Sequence, residues 1–188
     1  MPAVKTTKED AVAAITEVFR SYGYDGASLS RLSQASGLGR SSLYHYFPNG
    51  KEDMAKAAGE HIANIVMETV IEPLEGAGSL DGRLGKAIAA LSKLYDGGKT
   101  SCLVDLFAIG EAQTVLPGLA KSMIDALSVA FQRVAEEAGA ARKDAKLRAE
   151  RAVIEIEGAL VVARAQGSGA VFQRALARIP SLLLENQA

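Results

Sequence analysis

The chain has 188 residues, 48% of them apolar, with 21 basic and 22 acidic side chains and a formal net charge of −1. This length suits one domain of ordinary size or a small domain joined to a larger one, and the charge balance offers no global basic signal for nucleic acid. The lone thiol, Cys102, cannot form an internal disulfide, so nothing points to an oxidising compartment. Residues 1–10 are charged and lack the apolar core of a secretory signal. The longest apolar runs, such as 159–163, fall far short of the roughly 20 residues of a membrane span. A cytoplasmic protein without membrane contact is the expectation.

Alanine, leucine, glutamate, lysine and arginine dominate, and aromatics make up 5%. That mix favours helix over sheet, and no sustained period-two alternation appears. The spacing predicts a first helix over residues 7–22, with Val12, Ile15, Phe19 and Tyr22 on one face. Thr6 and Glu9 have capping-box spacing, and Gly23 suits the C-cap. A short helix over 29–36 follows, with Ser28 as N-cap. Gly37 marks a tight turn into a third helix over 40–46, closed by Pro48. A longer helix is expected over 51–71, with Glu52 and Asp53 at its positive end and Pro73, Gly76 and Gly78 as its boundary. Five further helices are expected over 79–95, 102–112, 117–138, 142–165 and 170–185. Pro180 either kinks the last of these or starts a separate final turn. The fold class is all-α.

Residues 28–53, SLSRLSQASGLGRSSLYHYFPNGKED, concentrate the chemistry. Two short helices joined at a glycine have helix-turn-helix anatomy. Leu29, Leu32, Leu38 and Leu43 are spaced to pack the pair together and onto the first helix. The second helix is then free to present Arg40, Ser41, Ser42, Tyr44 and His45, all hydrogen-bond donors. Arginine reaches a guanine edge or a phosphate, serine a phosphate or a base edge, and tyrosine a thymine methyl or a phosphate. Ser28 and Lys51 stand at helix N-termini, where backbone N–H groups also favour phosphate. Residues 1–54 hold six basic and six acidic side chains. A DNA-facing surface there must arise by sorting, with acids such as Glu17 and Asp25 turned away.

Leu-Tyr-His-Tyr-Phe-Pro over 43–48, followed within three residues by Lys-Glu-Asp at 51–53, resembles the recognition-helix signature of the TetR family. Ala35-Ser36-Gly37-Leu38 is similar to that family's turn. The Pro48-Asn49-Gly50-Lys51 spelling is one residue longer than the commoner Phe-Pro-Ser-Lys form and resembles the LmrA/YxaF-like branch. The resemblance implies a homodimeric transcription regulator, by default a ligand-released repressor on a palindromic operator in double-stranded DNA. It implies a DNA-binding domain over residues 1–54 and an effector-binding and dimerisation domain over 55–188. It assigns Lys51 to a phosphate, Tyr44 and His45 to the aromatic pair of the recognition helix, and Arg40, Ser41 and Ser42 to its variable, sequence-reading start. Gly39 stands where many members have a serine or threonine cap, which removes one phosphate contact that Ser41 or Ser42 can replace.

In the second half, residues 152–165 are apolar nearly all round, broken by Glu155, Glu157, Gly158 and Arg164. Such a helix is buried on all sides. A place between an internal cavity and a partner subunit accounts for this, with closure of the monomer's own core as the alternative. Phe172, Ala175, Leu176, Ile179 and Leu183 form one stripe of the last helix, and the two helices suit a four-helix bundle across a two-fold axis. Candidate pocket residues are Tyr95, Cys102, Phe107, Met123, Leu127 and Phe131, with Glu111 and Gln113 for polar contacts; a Met or aromatic stripe is more often plain core, which is the commoner role for the apolar ones. A mostly apolar cavity suits a small hydrophobic or aromatic effector.

An all-helical enzyme is the rival class. His45 and His61 are the only histidines and there is no cysteine cluster, so no metal site is expected. Cys102 has no evident histidine partner, and Glu150, Glu155 and Glu157 are the only carboxylates that suggest a pair. No phosphate loop, dinucleotide fingerprint or nucleophile elbow is present. No catalytic residue and no cofactor is expected. A helix-turn-helix protein acting without a ligand is a third possibility, sharing every DNA-reading residue.

Overall fold

A computed structural model describes residues 6–184; of Leu103 and Asp105 it describes the backbone alone. Every regular element among the described residues is helical. In chain order they are α1 (Lys8–Gly26), α2 (Leu29–Ser36), α3 (Arg40–Tyr46), α4 (Lys51–Val66), a π turn (Met67–Ile71), α5 (Glu72–Glu75), α6 (Leu80–Leu94), a 3-10 turn (Asp96–Gly98), α7 (Leu103–Phe107), α8 (Gly110–Val115), α9 (Leu119–Glu137), α10 (Arg142–Gln166) and α11 (Ala170–Leu184). The expected residue 185 of the last helix lies outside the described residues.

The chain forms two compact units. One holds the described residues through Asn64 together with Leu103–Ala120; the other holds Ile65–Cys102 and the described residues from Lys121 onward.

In the first unit, α1 begins at a capping box one residue later than expected. Thr7 Oγ1 accepts from the Asp10 N–H at 3.1 Å, and Asp10 Oδ2 accepts from the Thr7 N–H at 3.2 Å. Aspartate serves here because its shorter carboxylate still reaches back to the cap. Gly23, expected as the C-cap, breaks the helix at φ 68 without ending it, and a further turn runs to Gly26. Ile15 and Phe19 are buried as the stripe predicts, but Tyr22 is exposed, with the Arg31 guanidinium 4.4 Å from its ring centre. Val18 and Tyr24 are buried on α1 instead.

The bounds of α2 and α3 fall where the sequence places them. Ser28 caps α2, and Gly37 follows at φ 68, a left-handed turn that a β-carbon would strain. Leu32 and Leu43 are fully buried and Leu29 and Leu38 half-buried, so the leucines join the two helices. The expected single helix over 102–112 is two. Ile109, extended and exposed, separates α7 from α8. Phe107 on α7 packs edge-on against Phe19, ring centres 6.2 Å apart.

In the second unit, Pro73 does not end the helix before it. A proline ring collides with the carbonyl four residues back and brings no N–H. The chain widens to a π turn, where the Glu72 N–H donates to the Met67 carbonyl, and the helix passes through Pro73 to break at Gly76. Ser79 caps α6. Arg83 is buried and donates to the Leu74 carbonyl at 2.9 Å, the Gly76 carbonyl at 3.3 Å and Glu137 at 2.5 Å, satisfying the orphan end of α5. The Glu75–Arg133 ion pair lies in the same unit. The α10–α11 pair forms the core, with Ala152, Ile156, Leu160, Phe172, Ile179 and Leu183 buried. Each large apolar side chain so buried is worth about 1.5–3 kcal/mol. Pro180 lies inside α11 and starts no separate final turn.

Candidate nucleic-acid interface

The face of α3 is built by subtraction. Leu43 faces the core and Tyr46 is half-buried, which leaves Arg40, Ser41, Ser42, Tyr44 and His45 exposed. None of these five side chains makes a hydrogen bond or ion pair to another described residue, and α3 contains no acid. Gly39 gives α3 no side-chain cap, so its first N–H groups remain open. A row of donors with vacant valences on a short exposed helix is equipped to satisfy acceptors from outside the chain.

Two further residues flank that row. Ser28 Oγ accepts the Arg31 N–H at 3.3 Å, so its own O–H remains a donor. Lys51 opens α4, its ammonium 4.3 Å from the centre of the Tyr24 ring. Burial, followed by the charges of Glu52, Glu111 and Asp25, raises the Tyr24 phenol above its ordinary value. The ring therefore stays neutral and offers its face to the lysine.

Most acids of this segment have neighbours within the chain. Asp10 is taken up by the α1 cap and Glu17 pairs with Arg20 at 3.2 Å. Asp25 points its carboxylate at the position a Gly110 β-carbon would occupy, on α8. Glu52 pairs with Lys56 at 3.1 Å. Asp53 accepts from the Asn49 N–H at 2.8 Å and from its side-chain amide at 3.2 Å, and these two bonds lower its carboxyl below the ordinary range. The sequence showed the acids but not these partners. The Asn49–Asp53 clasp and the Tyr24 support for Lys51 are not legible in the sequence; a four-residue Asn-to-Asp spacing across the start of α4 is the one signal it carries for the first.

The candidate effector residues divide between the units. Tyr95 and Cys102 are buried in the second unit and hydrogen-bonded at 3.3 Å, and the Cys102 thiol donates to Glu157 on α10 at 3.5 Å. The Tyr95 ring also meets Phe172 edge-on. Leu127 and Phe131 are buried on one face of α9, with Met123 half-buried one turn before. Phe107 and Glu111 lie in the first unit, Phe107 against Phe19 and Glu111 exposed on α8. No group of three or more metal-ligating side chains occurs among the described residues. No helix among them is long and apolar enough to cross a membrane.

Residues 11–58 match the model of the bacterial regulatory proteins of the tetR family. The chain is similar to the HTH-type transcriptional regulator LmrA of Bacillus subtilis (strain 168), 32% identical over 77 residues, covering 37% of this chain and 41% of LmrA. The matched stretch thus spans about two fifths of that relative's length. Solved structures extend the likeness in fold to nearly the whole chain. A TetR transcriptional regulator from Legionella pneumophila superposes with a TM-score of 0.82 at 20% identity, over 97% of this chain and 100% of the other. A cysteine mutant of CifR, a TetR-family transcriptional regulator complexed with a 26-base-pair operator DNA, gives 0.72 at 21% identity, over 97% and 98%. The tetR-family match thus lies in the N-terminal helices, residues 11–58, which hold α2 and α3, while the solved TetR regulators share this chain's fold over nearly all of its length.

Proposed function

We propose that the chain is a transcription regulator of the cytoplasm that binds a palindromic operator as a homodimer and is released as a repressor when a small apolar or aromatic effector binds. Residues 1–54 read DNA, and residues 55–188 hold the effector and the partner subunit. The observation that carries the proposal is the face of α3, where Arg40, Ser41, Ser42, Tyr44 and His45 are exposed and unbonded while Leu32 and Leu43 of the motif are buried. Arg40, Ser41 and Ser42 meet base edges or phosphates, Tyr44 and His45 complete the contact, and Ser28 and Lys51 hold phosphates at either side.

The dimer rests on a second uncovered surface. Leu147, Ile154 and Val161 recur every seven residues along α10 and are all exposed in the single chain, Ile154 at 63%. Of these, Ile154 borders, with Val162 and Val171, a groove of about 310 Å³ floored by Gly158, Ala159 and Ala175 and edged by Arg174, Arg178 and Glu155. Gly158 has nothing within 4 Å of where its β-carbon would lie. Glycine in a helix interior costs about 0.5–1 kcal/mol relative to alanine, and close approach of a partner helix is the return. A seven-residue apolar seam with small residues beside it suits a second copy of the same helix pair. Such a dimer presents two α3 helices to successive major grooves, about 34–36 Å apart. Effector binding among Tyr95, Cys102, Met123, Leu127 and Phe131 lowers operator affinity only if the effector prefers the released form.

Selection from a random duplex library tests the whole reading. A palindrome should be enriched, and Tyr44→Ala should bind it about 10-fold or more weaker, the cost of one good contact. Failure to enrich any sequence at low salt would remove the proposal.

A further inference from the structure

We infer that the turn Phe47–Gly50, and Gly50 in particular, is a positioning device for Tyr44, setting the angle at which that ring leaves the recognition helix. The inference rests on the DNA-reading role proposed for α3 and adds to it residues off that helix.

Tyr44 sits near the end of a seven-residue helix, and an exposed tyrosine there has several rotamers open to it. Yet it is only 47% exposed. Gly50 provides cover: a β-carbon at that position would stand 3.4 Å from Tyr44 Cε1 and 3.9 Å from its hydroxyl oxygen. The ring therefore lies along a backbone, which cannot swing aside as a side chain can.

That backbone is tied down on every side. The Gly50 N–H donates to the Phe47 carbonyl at 2.8 Å, closing a four-residue turn anchored by the buried Phe47 ring. Asn49 is clasped to Asp53 by its N–H and its side-chain amide. The Gly50 carbonyl accepts the Met54 N–H at 3.1 Å and so starts α4. Gly50 itself has φ +65, which glycine and, among other residues, asparagine adopt most readily. Lys51 leaves the turn at the next residue, its ammonium over Tyr24. One turn thus governs both Tyr44 and the lysine assigned to phosphate.

The two demands on residue 50 are separable. Alanine strains the left-handed backbone but adds only a β-carbon in ordinary contact with the ring. Asparagine tolerates the backbone, but its amide extends beyond the β-carbon into the ring's place. Gly50→Asn should therefore hold its unfolding midpoint closer to wild type than Gly50→Ala does, and yet lose more operator affinity, about 10-fold. In a Tyr44→Ala background the Gly50→Asn change should cost nothing further, because the group it displaces is gone.

The test combines titration of the selected operator with all four variants, thermal unfolding of each, and 19F spectra of 3-fluorotyrosine-labelled protein without DNA. The Tyr44 resonance, assigned by its loss in Tyr44→Phe, should shift in Gly50→Asn. An unshifted resonance overturns the inference whether or not an operator exists. Additive losses in the double variant overturn it as well, since residue 50 would then act through the fold. Absence of any selected operator, with the resonance shifted, would sink the DNA-reading role and leave the packing of Tyr44 on Gly50 standing.

Discussion

Two helices of this chain leave a face uncovered, and the two faces are chemically opposite. The seven residues of α3 expose donors: a guanidinium, two hydroxyls, a phenol and an imidazole. The 25 residues of α10 expose Leu147, Ile154, Val161 and Val162. Unbonded donors in water cost little and gain most from strong acceptors such as phosphate oxygens. Exposed aliphatics cost most in water and gain most from another apolar face. The two proposals apply one rule to opposite surfaces: donors are matched with a polyanion at one helix, and aliphatics with a second copy of the chain at the other.

The contrast is open to direct attack, and the largest effect is expected on α10. Ile154→Asp places a charge at the centre of the proposed seam. An unpaired buried charge costs roughly 3–5 kcal/mol, enough to move a dimer's dissociation constant by two to three orders of magnitude. Because Ile154 is exposed in the single chain, the protomer's own fold should survive, as circular dichroism would report. Sedimentation velocity should find monomers where wild type gives dimers. An undisturbed dimer would place the interface elsewhere and empty the comparison of its second half.

On the DNA side the smaller expected effect is a slope. Lys51→Met removes one cation and leaves an apolar stem over Tyr24. If Lys51 neutralises one phosphate per subunit, the dependence of log affinity on log salt should flatten by about one per subunit, with little change in which sequence is preferred. The Ile154→Asp protein should show the reverse pattern, an altered stoichiometry with the slope per subunit intact. A Lys51→Met protein with the wild-type slope would remove this residue from the interface.

How far the sequence could be read differed between these regions for a physical reason. In residues 28–53 each step is local: Ser28 caps α2, Gly37 turns the chain, Leu32 and Leu43 face inward, and what remains is surface. Helix bounds and exposed donors follow from spacing alone. In the second half the same spacing marks an apolar residue without saying what covers it. Phe107 and Phe131 look alike in sequence, yet Phe107 packs against Phe19 in the first unit while Phe131 lies in the second. Phe107 shares that unit because α7 and α8 pack against α1, a long-range pairing no periodicity encodes. The π turn before Pro73 was hidden because a proline can either end a helix or be absorbed by one wider turn. The Asn49–Asp53 clasp was hidden because any asparagine beside a helix start has several acceptors within reach.

That clasp carries the smallest prediction and separates the start of α4 from the apolar seam once more. Hydrogen bonds from the Asn49 N–H, and then from its side-chain amide, hold the Asp53 carboxyl below its ordinary value of 3.8. A carboxyl whose pKa is lowered by folding binds fewer protons folded than unfolded, so its contribution to stability is complete above the unfolded value. It is lost as the pH falls below that value and through the depressed one. Asp53→Asn keeps the shape and removes the charge. Its unfolding midpoint should lie slightly below wild type at neutral pH, and the gap should close between about pH 4 and the acid limit of the experiment. Taking the difference between the two proteins cancels the other carboxylates that titrate in the same window. The Ile154→Asp protein gives the control, because Asn49 and Asp53 are untouched there and the gap produced by adding Asp53→Asn should close over the same range. A gap as wide at pH 3 as at pH 7 would mean that the Asp53 charge plays no part in starting α4, and that the turn beneath Tyr44 is held by its backbone bonds alone.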